Sequence, residues 1–156
     1  MSRALVIVGL DLGTHTGWAL DDDAAGTWDL SPRRHESSGM RLIKLRSSLT
    51  DLANAQHIDL LAYEEVLHLK GVAEVVFGEL MGVVKVLCHD MAIEYVGISV
   101  GTVKKLATSR GNANKAEMMA ATRARWPNFR GTEDEADARW VRETAIKNYG
   151  AGVTVG

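Results

Sequence analysis

Apolar residues fall into two kinds of segment along the chain: short continuous runs and longer stretches with helical spacing. The continuous run over residues 4–10 is typical of a strand that is buried on both faces. Shorter apolar segments over 16–20, 26–30, 58–63 and 93–98 are also typical of strands. Polar and glycine-containing turns separate the first three segments, which predicts a hairpin followed by a third strand.

The longer stretches predict helices. Leucines recur every three or four residues from Leu42 to Leu52, which predicts a helix over 40–55. Further helices are predicted over 71–91, 100–107, 114–126 and 133–149. This order predicts an α/β domain, a mixed five-stranded sheet with antiparallel first strands and flanking crossover helices. We expect residues 1–150 to form this single domain and residues 151–156 to be a short flexible tail.

The composition narrows the class of protein. Of the 156 residues, 46% are hydrophobic and 24% are charged, which supports one hydrophobic core and excludes a disordered or membrane-embedded chain. Cys88 is the single cysteine, so neither a disulfide framework nor a Cys-rich zinc site can form within one chain. The first apolar run is too short for a membrane span and lacks signal-peptide architecture, so we expect a cytoplasmic protein with no membrane partner.

Acidic residues stand at the ends of three predicted elements. Asp11 ends the first strand, and Glu64 and Glu65 end the fourth. Asp134 and Asp137 lie three positions apart at the start of the last helix, so their side chains share a face. If the first and fourth strands are parallel neighbours, these acids meet at the sheet end where α/β sites usually lie. The pattern leaves open whether Glu64 or Glu65 points inward, and it also allows Asp11 to cap a hairpin turn.

The clustering of these acids has a chemical consequence. Carboxylates gathered without arginine partners repel one another, and divalent cations remove that repulsion. Oxygen-only ligands favour Mg²⁺ or Mn²⁺ over zinc. Two such ions about 4 Å apart can activate a water and stabilise the leaving oxygen of a phosphodiester. Glu133 and Glu135 are interpreted as first-turn residues that favour the helix dipole.

Positive charge is concentrated in one part of the chain, although the formal net charge is only −2. Residues 101–130 carry seven lysines and arginines against one acid, Glu117, and an acidic cluster follows directly. This arrangement suits an enzyme that grips phosphates and holds cations. The candidates for contacts with nucleic-acid phosphates are Lys104, Lys105, Arg110 and Lys115. Arg33 and Arg34 could also reach a phosphate backbone, but a solvated loop is the preferred interpretation of that segment.

The predicted helix over 71–91 is apolar almost all round. Such a helix must be buried on several sides, by its own sheet and by a partner subunit if one is present. Gly78 and Gly82 lie four positions apart and would let another backbone come close. The helix is therefore either a central core helix or the contact surface of a homodimer, and we favour the homodimer because one domain of this size can hardly cover the whole helix.

Motifs in four places resemble those of RuvC-type Holliday-junction resolvases. They are GLDLG over 9–13 followed by Thr16-Gly17, YEEV over 63–66, DEADA over 134–138, and Val103-Lys104 with GNANK over 111–115. The glycines at 78 and 82 also resemble those of that family's dimer helix. The similarity runs over most of the chain in the same order.

This resemblance implies an RNase H-like fold and a homodimer with two active sites that makes paired, Mg²⁺-dependent nicks in four-way DNA junctions. Mn²⁺ is expected to substitute for Mg²⁺. The residues that the resemblance assigns to metal binding and catalysis are Asp11, Glu64, Asp134 and Asp137, which selects Glu64 over Glu65. It assigns phosphate contacts to Lys104 and Lys115, and Lys115 is also expected to be catalytic.

Two features depart from the family's bacterial members. The loop from Asp11 to Gly17 is one residue shorter, and Leu67 stands where those members carry an aromatic residue thought to wedge into the junction. Both features favour the bacteriophage-encoded branch. Three other functions share part of the pattern: an actin-like ATPase, an RNase H-type enzyme acting on RNA–DNA hybrids, and a non-catalytic module that binds branched DNA.

Overall fold

The computed structural model describes residues 3–150, and the predicted tail over 151–156 lies outside them. Five strands are present: β1 (Ile7–Asp11), β2 (His15–Ala19), β3 (Ala25–Asp29), β4 (Leu60–Glu65) and β5 (Glu94–Ser99). Five helices accompany them: α1 (Gly39–Ala55), α2 (Val72–Met91), α3 (Val100–Thr108), α4 (Lys115–Arg125) and α5 (Glu133–Tyr149). The predicted element order is confirmed, with the fourth strand extended to include both glutamates.

The strands form one mixed sheet in the order β3-β2-β1-β4-β5. β2 pairs antiparallel with β1 and β3, whereas β4 pairs parallel with β1 and β5. The first and fourth strands are therefore parallel neighbours, which is the condition under which their terminal acids meet. β1, β3, β4 and β5 all end at the same edge of the sheet, here called the carboxyl edge.

Hydrophobic residues cover both faces of the sheet. On one face, the buried residues of α1 and α2 pack against Val8, Leu10 and Leu61. On the other face, buried residues of α3, α4 and α5 pack against Ile7, Leu60 and the neighbouring strand residues. No helix within residues 3–150 is long and apolar enough to cross a membrane.

Helix α5 lies directly on the central strands, and two glycines make this close approach possible. A Cβ on Gly9 would lie 2.7 Å from the backbone nitrogen of Arg142, and a Cβ on Gly17 would overlap the carbonyl of Asp134. Any larger residue at either position would push the helix away from the sheet. Gly17, in the middle of β2, thus sets the height of the first turn of α5 above β1 and β2.

Candidate active site

Strand alternation places Asp11 and Glu64 on the face of the sheet that α5 covers. In β1, Val8 and Leu10 point to the α1–α2 side, so Gly9 and Asp11 point to α5. In β4, Leu61 points to the α1–α2 side, whereas Leu60 and Ala62 belong to the opposite core. Glu64 follows that second set and is partly buried, while Glu65 is exposed on the other side.

The start of α5 is held in place by a helix cap. The Thr132 hydroxyl accepts a hydrogen bond from the backbone N–H of Glu135 at 3.1 Å. The same hydroxyl lies 2.6 Å from the Thr27 hydroxyl, which links the cap to β3. This anchorage positions the first turn of α5 above the carboxyl edge, and that turn carries Asp134 and then Asp137.

The carboxyl groups from these three elements lie close enough to change one another's acidity. Burial, reinforced by repulsion from Glu64, Asp137 and Asp134, raises the pKa of Asp11 to about 9. Burial and the nearby Asp137 raise the pKa of Glu64 to about 7, partly offset by Lys104. The structure therefore brings together all four carboxyls that the sequence singles out.

Asp137 completes this electrostatic picture. Its burial and the charges of Asp134 and Glu133 raise its pKa to about 6, against the opposing effect of Lys104 and Lys115. None of the four carboxyls forms an ion pair with a lysine or arginine of residues 3–150. The carboxyl groups are thus clustered, and among the described residues no cationic side chain is in direct contact with them.

A cleft of about 210 Å³ opens beside the carboxyls. Its walls come from the end of β4 and from α3, α4 and α5, and they include Glu64 and Asp137. Lys104 and Lys115 line the same cleft. The space therefore combines carboxylates that can hold cations with ammonium groups that can contact an anion.

The carboxyl set offers only hard oxygen donors, which are the ligands that divalent cations such as Mg²⁺ prefer. Hard oxygen donors that are partly buried close to one another gain stability when a divalent cation is bound between them. Within residues 3–150, no group of three or more His, Cys, Asp or Glu side chains is placed so that it could hold a metal ion without rearrangement. Mg²⁺ ordinarily binds one or two carboxylates and keeps its remaining positions for water and substrate phosphate, so an open carboxylate set suits it.

Two predicted phosphate contacts lie outside the cleft. Lys105 is exposed on α3 and does not line the cleft. The guanidinium of Arg110 lies 3.5 Å from the carboxylate of Glu117. DNA contact by these two residues stays a prediction.

Glu133 is a cleft residue whose position sequence reasoning missed. Its interpretation as a residue serving only the helix dipole is incomplete, because it lines the cleft and lies 3.6 Å from the ammonium of Lys115. The signal was present in the spacing, since Glu133 and Asp137 are four positions apart and share a helix face.

The strand order, the helix across the centre of the sheet and the acidic carboxyl edge define an α/β protein of RNase H-like fold. No protein-family model matches the chain. The crossover junction endodeoxyribonuclease RuvC of Ehrlichia canis (strain Jake) is 29% identical over 140 residues, which cover 85% of this chain and 90% of that protein.

Solved structures of RuvC share the fold. Thermus thermophilus RuvC in complex with a Holliday junction substrate superposes with a TM-score of 0.74 at 19% identity, covering 91% of this chain and 93% of that one. A second Thermus thermophilus RuvC structure gives 0.72 at 18% identity, with coverage of 90% and 92%. The predicted RNase H-like α/β fold is thereby confirmed.

Proposed function

We propose that this protein is a structure-selective endodeoxyribonuclease that resolves four-way (Holliday) junctions, and other branched DNA, by metal-dependent hydrolysis with paired nicks. The observation that supports the proposal most is the set of four partly buried carboxyls, two of which line a cleft together with Lys104 and Lys115. The likeness to RuvC over most of the chain supports the choice of DNA junctions as the substrate.

The proposed metal ligands are Asp11, Glu64, Asp134 and Asp137. A bound Mg²⁺, or Mn²⁺ in its place, would supply Lewis-acid activation of water and stabilisation of the leaving oxygen. The protein contributes a partly buried site in which the carboxylates are aimed inward from three separate elements. Burial strengthens their attraction for a cation because few water molecules screen the charges there.

The lysines of the cleft are proposed to act on the phosphate. Lys104 on α3 and Lys115 at the start of α4 line the same cleft as Glu64 and Asp137, so a phosphodiester bound in the cleft could contact both groups. Their positive charge would orient the phosphate and stabilise the extra negative charge of the transition state. Lys115 is therefore proposed as a catalytic residue, and Lys105 and Arg110 as contacts to flanking DNA.

A cleavage assay tests the function. The protein would be incubated with a mobile four-way junction, a fork, linear duplex and an RNA–DNA hybrid, each with and without Mg²⁺. Metal-dependent symmetric nicks in the junction support the proposal. Cleavage of the hybrid alone would favour an RNase H-type enzyme, and junction binding without cleavage would favour a non-catalytic module.

Two adjacent glutamates provide a matched pair of variants for that assay. Glu64→Gln should abolish cleavage and leave junction binding intact, because it removes a carboxylate from the site and adds no negative charge. Glu65→Gln makes the same chemical change on the exposed side of β4 and should keep both activities. Equal loss of cleavage in both variants would contradict the assignment of Glu64.

We also propose a homodimer formed through α2. The helix exposes a stripe that contains Val75, Gly78, Gly82 and Val86, and the side chains of Val75 and Val86 are 58% and 61% exposed. A Cβ at either glycine would meet nothing within 4 Å, so a second backbone could come close there. Sedimentation should show a dimer that the double change Val75→Asp and Val86→Asp converts to a folded monomer. A monomeric unaltered protein would contradict the proposal.

Two departures from the pattern of the bacterial resolvases support a narrower proposal, that the protein belongs to the bacteriophage-encoded branch. The short loop after Asp11 and the 72% exposed Leu67 are the grounds for placing this chain with bacteriophage-encoded members, which would act in the cytoplasm of an infected or bacterial cell. Neighbouring genes of phage origin around its coding sequence would support this placement, and bacterial housekeeping genes there would contradict it.

A further inference from the structure

The loop over residues 30–38 connects β3 to α1 and begins at the carboxyl edge. β3 runs antiparallel to β2, and β2 runs antiparallel to β1, so β3 ends at the same edge as Asp11. Neighbouring strands are about 4.8 Å apart, which places the end of β3 roughly 10 Å from the end of β1. The loop thus leaves the sheet close to the proposed catalytic carboxyls.

Hydrogen bonds hold this loop in a defined turn. The backbone N–H of Arg33 donates to the Glu36 carboxylate at 2.7 Å, and the N–H of Glu36 donates to the Arg33 carbonyl at 2.9 Å. Asp29 accepts from the N–H of Ser31 at 2.9 Å, and the Lys44 ammonium donates to the Ser31 carbonyl at 2.5 Å. The two acids near the loop are therefore engaged with its backbone.

The arginine side chains of the loop point outward without acidic partners. Arg33 and Arg34 are both exposed, and neither forms an ion pair with an acid of residues 3–150. Residues 29–46 contain five lysines and arginines against two acids. Arg41, on the first turn of the helix that follows, has a buried Nε with no hydrogen-bond acceptor among the described residues. The protein itself thus leaves positive charge uncompensated here.

We propose that Arg33 and Arg34 form a second contact with the DNA backbone, on the opposite side of the carboxyls from Lys104 and Lys115. The order of strands in the sheet supports this arrangement. β5, followed by the lysine-bearing helices α3 and α4, lies on one side of β1 and β4, and β3 with its arginine loop lies on the other side. A strand that crosses the carboxyl edge meets the lysines, then the carboxyls, then the arginines. This inference rests on the proposed function.

Salt-dependent binding measures this contact. The affinity of the whole protein for a four-way junction would be determined without divalent metal at several salt concentrations, for the unaltered protein and for the double variant Arg33→Ala/Arg34→Ala. Each lost phosphate contact should reduce the slope of log K against log salt by about one, so the double variant should lose about two per chain. Its affinity at low salt should fall at least tenfold.

Lys147→Glu is a matched control because it changes the net charge by the same two units. Lys147 is exposed near the far end of α5, thirteen residues from Asp134, or about 20 Å along the helix. This variant should retain the slope of the unaltered protein. A reduction as large as that of the arginine variant would show a general charge effect and overturn the proposal.

A junction with neutral methylphosphonates locates the contact. Neutral linkages on the β3 side of the nick should weaken binding by the unaltered protein and leave the arginine variant unaffected, whereas those on the lysine side should weaken both proteins. Equal weakening of both proteins at every position would contradict the proposal. If the unaltered protein binds the junction but the arginine variant has the same affinity and slope, this inference alone fails. If the unaltered protein does not bind, the proposed function fails with it.

Discussion

Replacing Gly17 by alanine should damage the active site without touching a carboxyl group. Gly17 on β2 lies directly under the first turn of α5, where an added Cβ would overlap the carbonyl of Asp134 and lie 3.0 Å from the nitrogen of Glu135. Ordinary contacts of a Cβ begin at 3.4 Å, so the start of α5 must retreat by roughly 1 Å or more. That movement carries Asp134 and Asp137 away from Asp11 and Glu64.

The size of the effect follows from this displacement. A misplacement of about 1 Å in a catalytic constellation costs on the order of 100-fold in rate, so junction cleavage by Gly17→Ala should fall by about that factor. Overpacking should also lower the free energy of unfolding by about 1–3 kcal/mol. Junction affinity should change little, because the cleft lysines lie on α3 and α4. Single-turnover cleavage, chemical denaturation and a binding assay would measure the three quantities.

Gly13 supplies the control in the same hairpin. A Cβ at Gly13 would meet only the His15 carbonyl at 3.6 Å, and its backbone is not left-handed, so Gly13→Ala should keep nearly full activity. Cleavage by Gly17→Ala at the unaltered rate would refute the reasoning. So would equal losses in the two variants, since the effect would then not depend on contact with α5.

Three further predictions follow from the site. The pKa of Asp11 is about 9 in the folded protein, whereas an aspartate in the unfolded chain loses its proton near pH 4. The free energy of unfolding of the metal-free protein should therefore fall as the pH rises between these values. Asp11 should contribute about 1.4 kcal/mol per pH unit to this fall. Asp11→Asn should flatten this dependence in thermal unfolding, and an unchanged pH profile would contradict it. Lys115→Ala should reduce the salt slope of junction binding by about one, whereas an unchanged slope would count against that phosphate contact. Thr132→Ala removes the cap of α5 and should cost about 1 kcal/mol on chemical denaturation, with Thr132→Ser as the variant that restores it.

Several parts of this site could be predicted from local spacing. Asp11 follows an apolar run, which places it at the end of a strand. Asp134 and Asp137 are three positions apart on a helix, and the helical period places them on one face. The parallel pairing of β1 and β4 is also compatible with the sequence, because the predicted helix over 40–55 between the third and fourth strands allows a crossover connection. These features depend on short-range geometry, which the order of residues determines.

Other features depend on which face of the sheet each helix covers. Residue alternation in β4 assigns Glu64 and Glu65 to opposite faces but does not say which face α5 occupies, and a shift of one residue would exchange them. The position of Glu133 in the cleft depends likewise on the rotation of α5 about its axis. Neither the sheet face nor the helix rotation is encoded by any single segment.

The order of elements, the mixed sheet and the set of acids that could meet thus follow from the local pattern of residues. Packing between distant segments sets three further features: α5 rests on Gly9 and Gly17, Glu64 is the inward glutamate, and β3 lies at the opposite side of the sheet from β5. The physical reason is that hydrophobic periodicity reports which side of an element is buried. The partner that buries it is chosen by packing between residues more than a hundred positions apart.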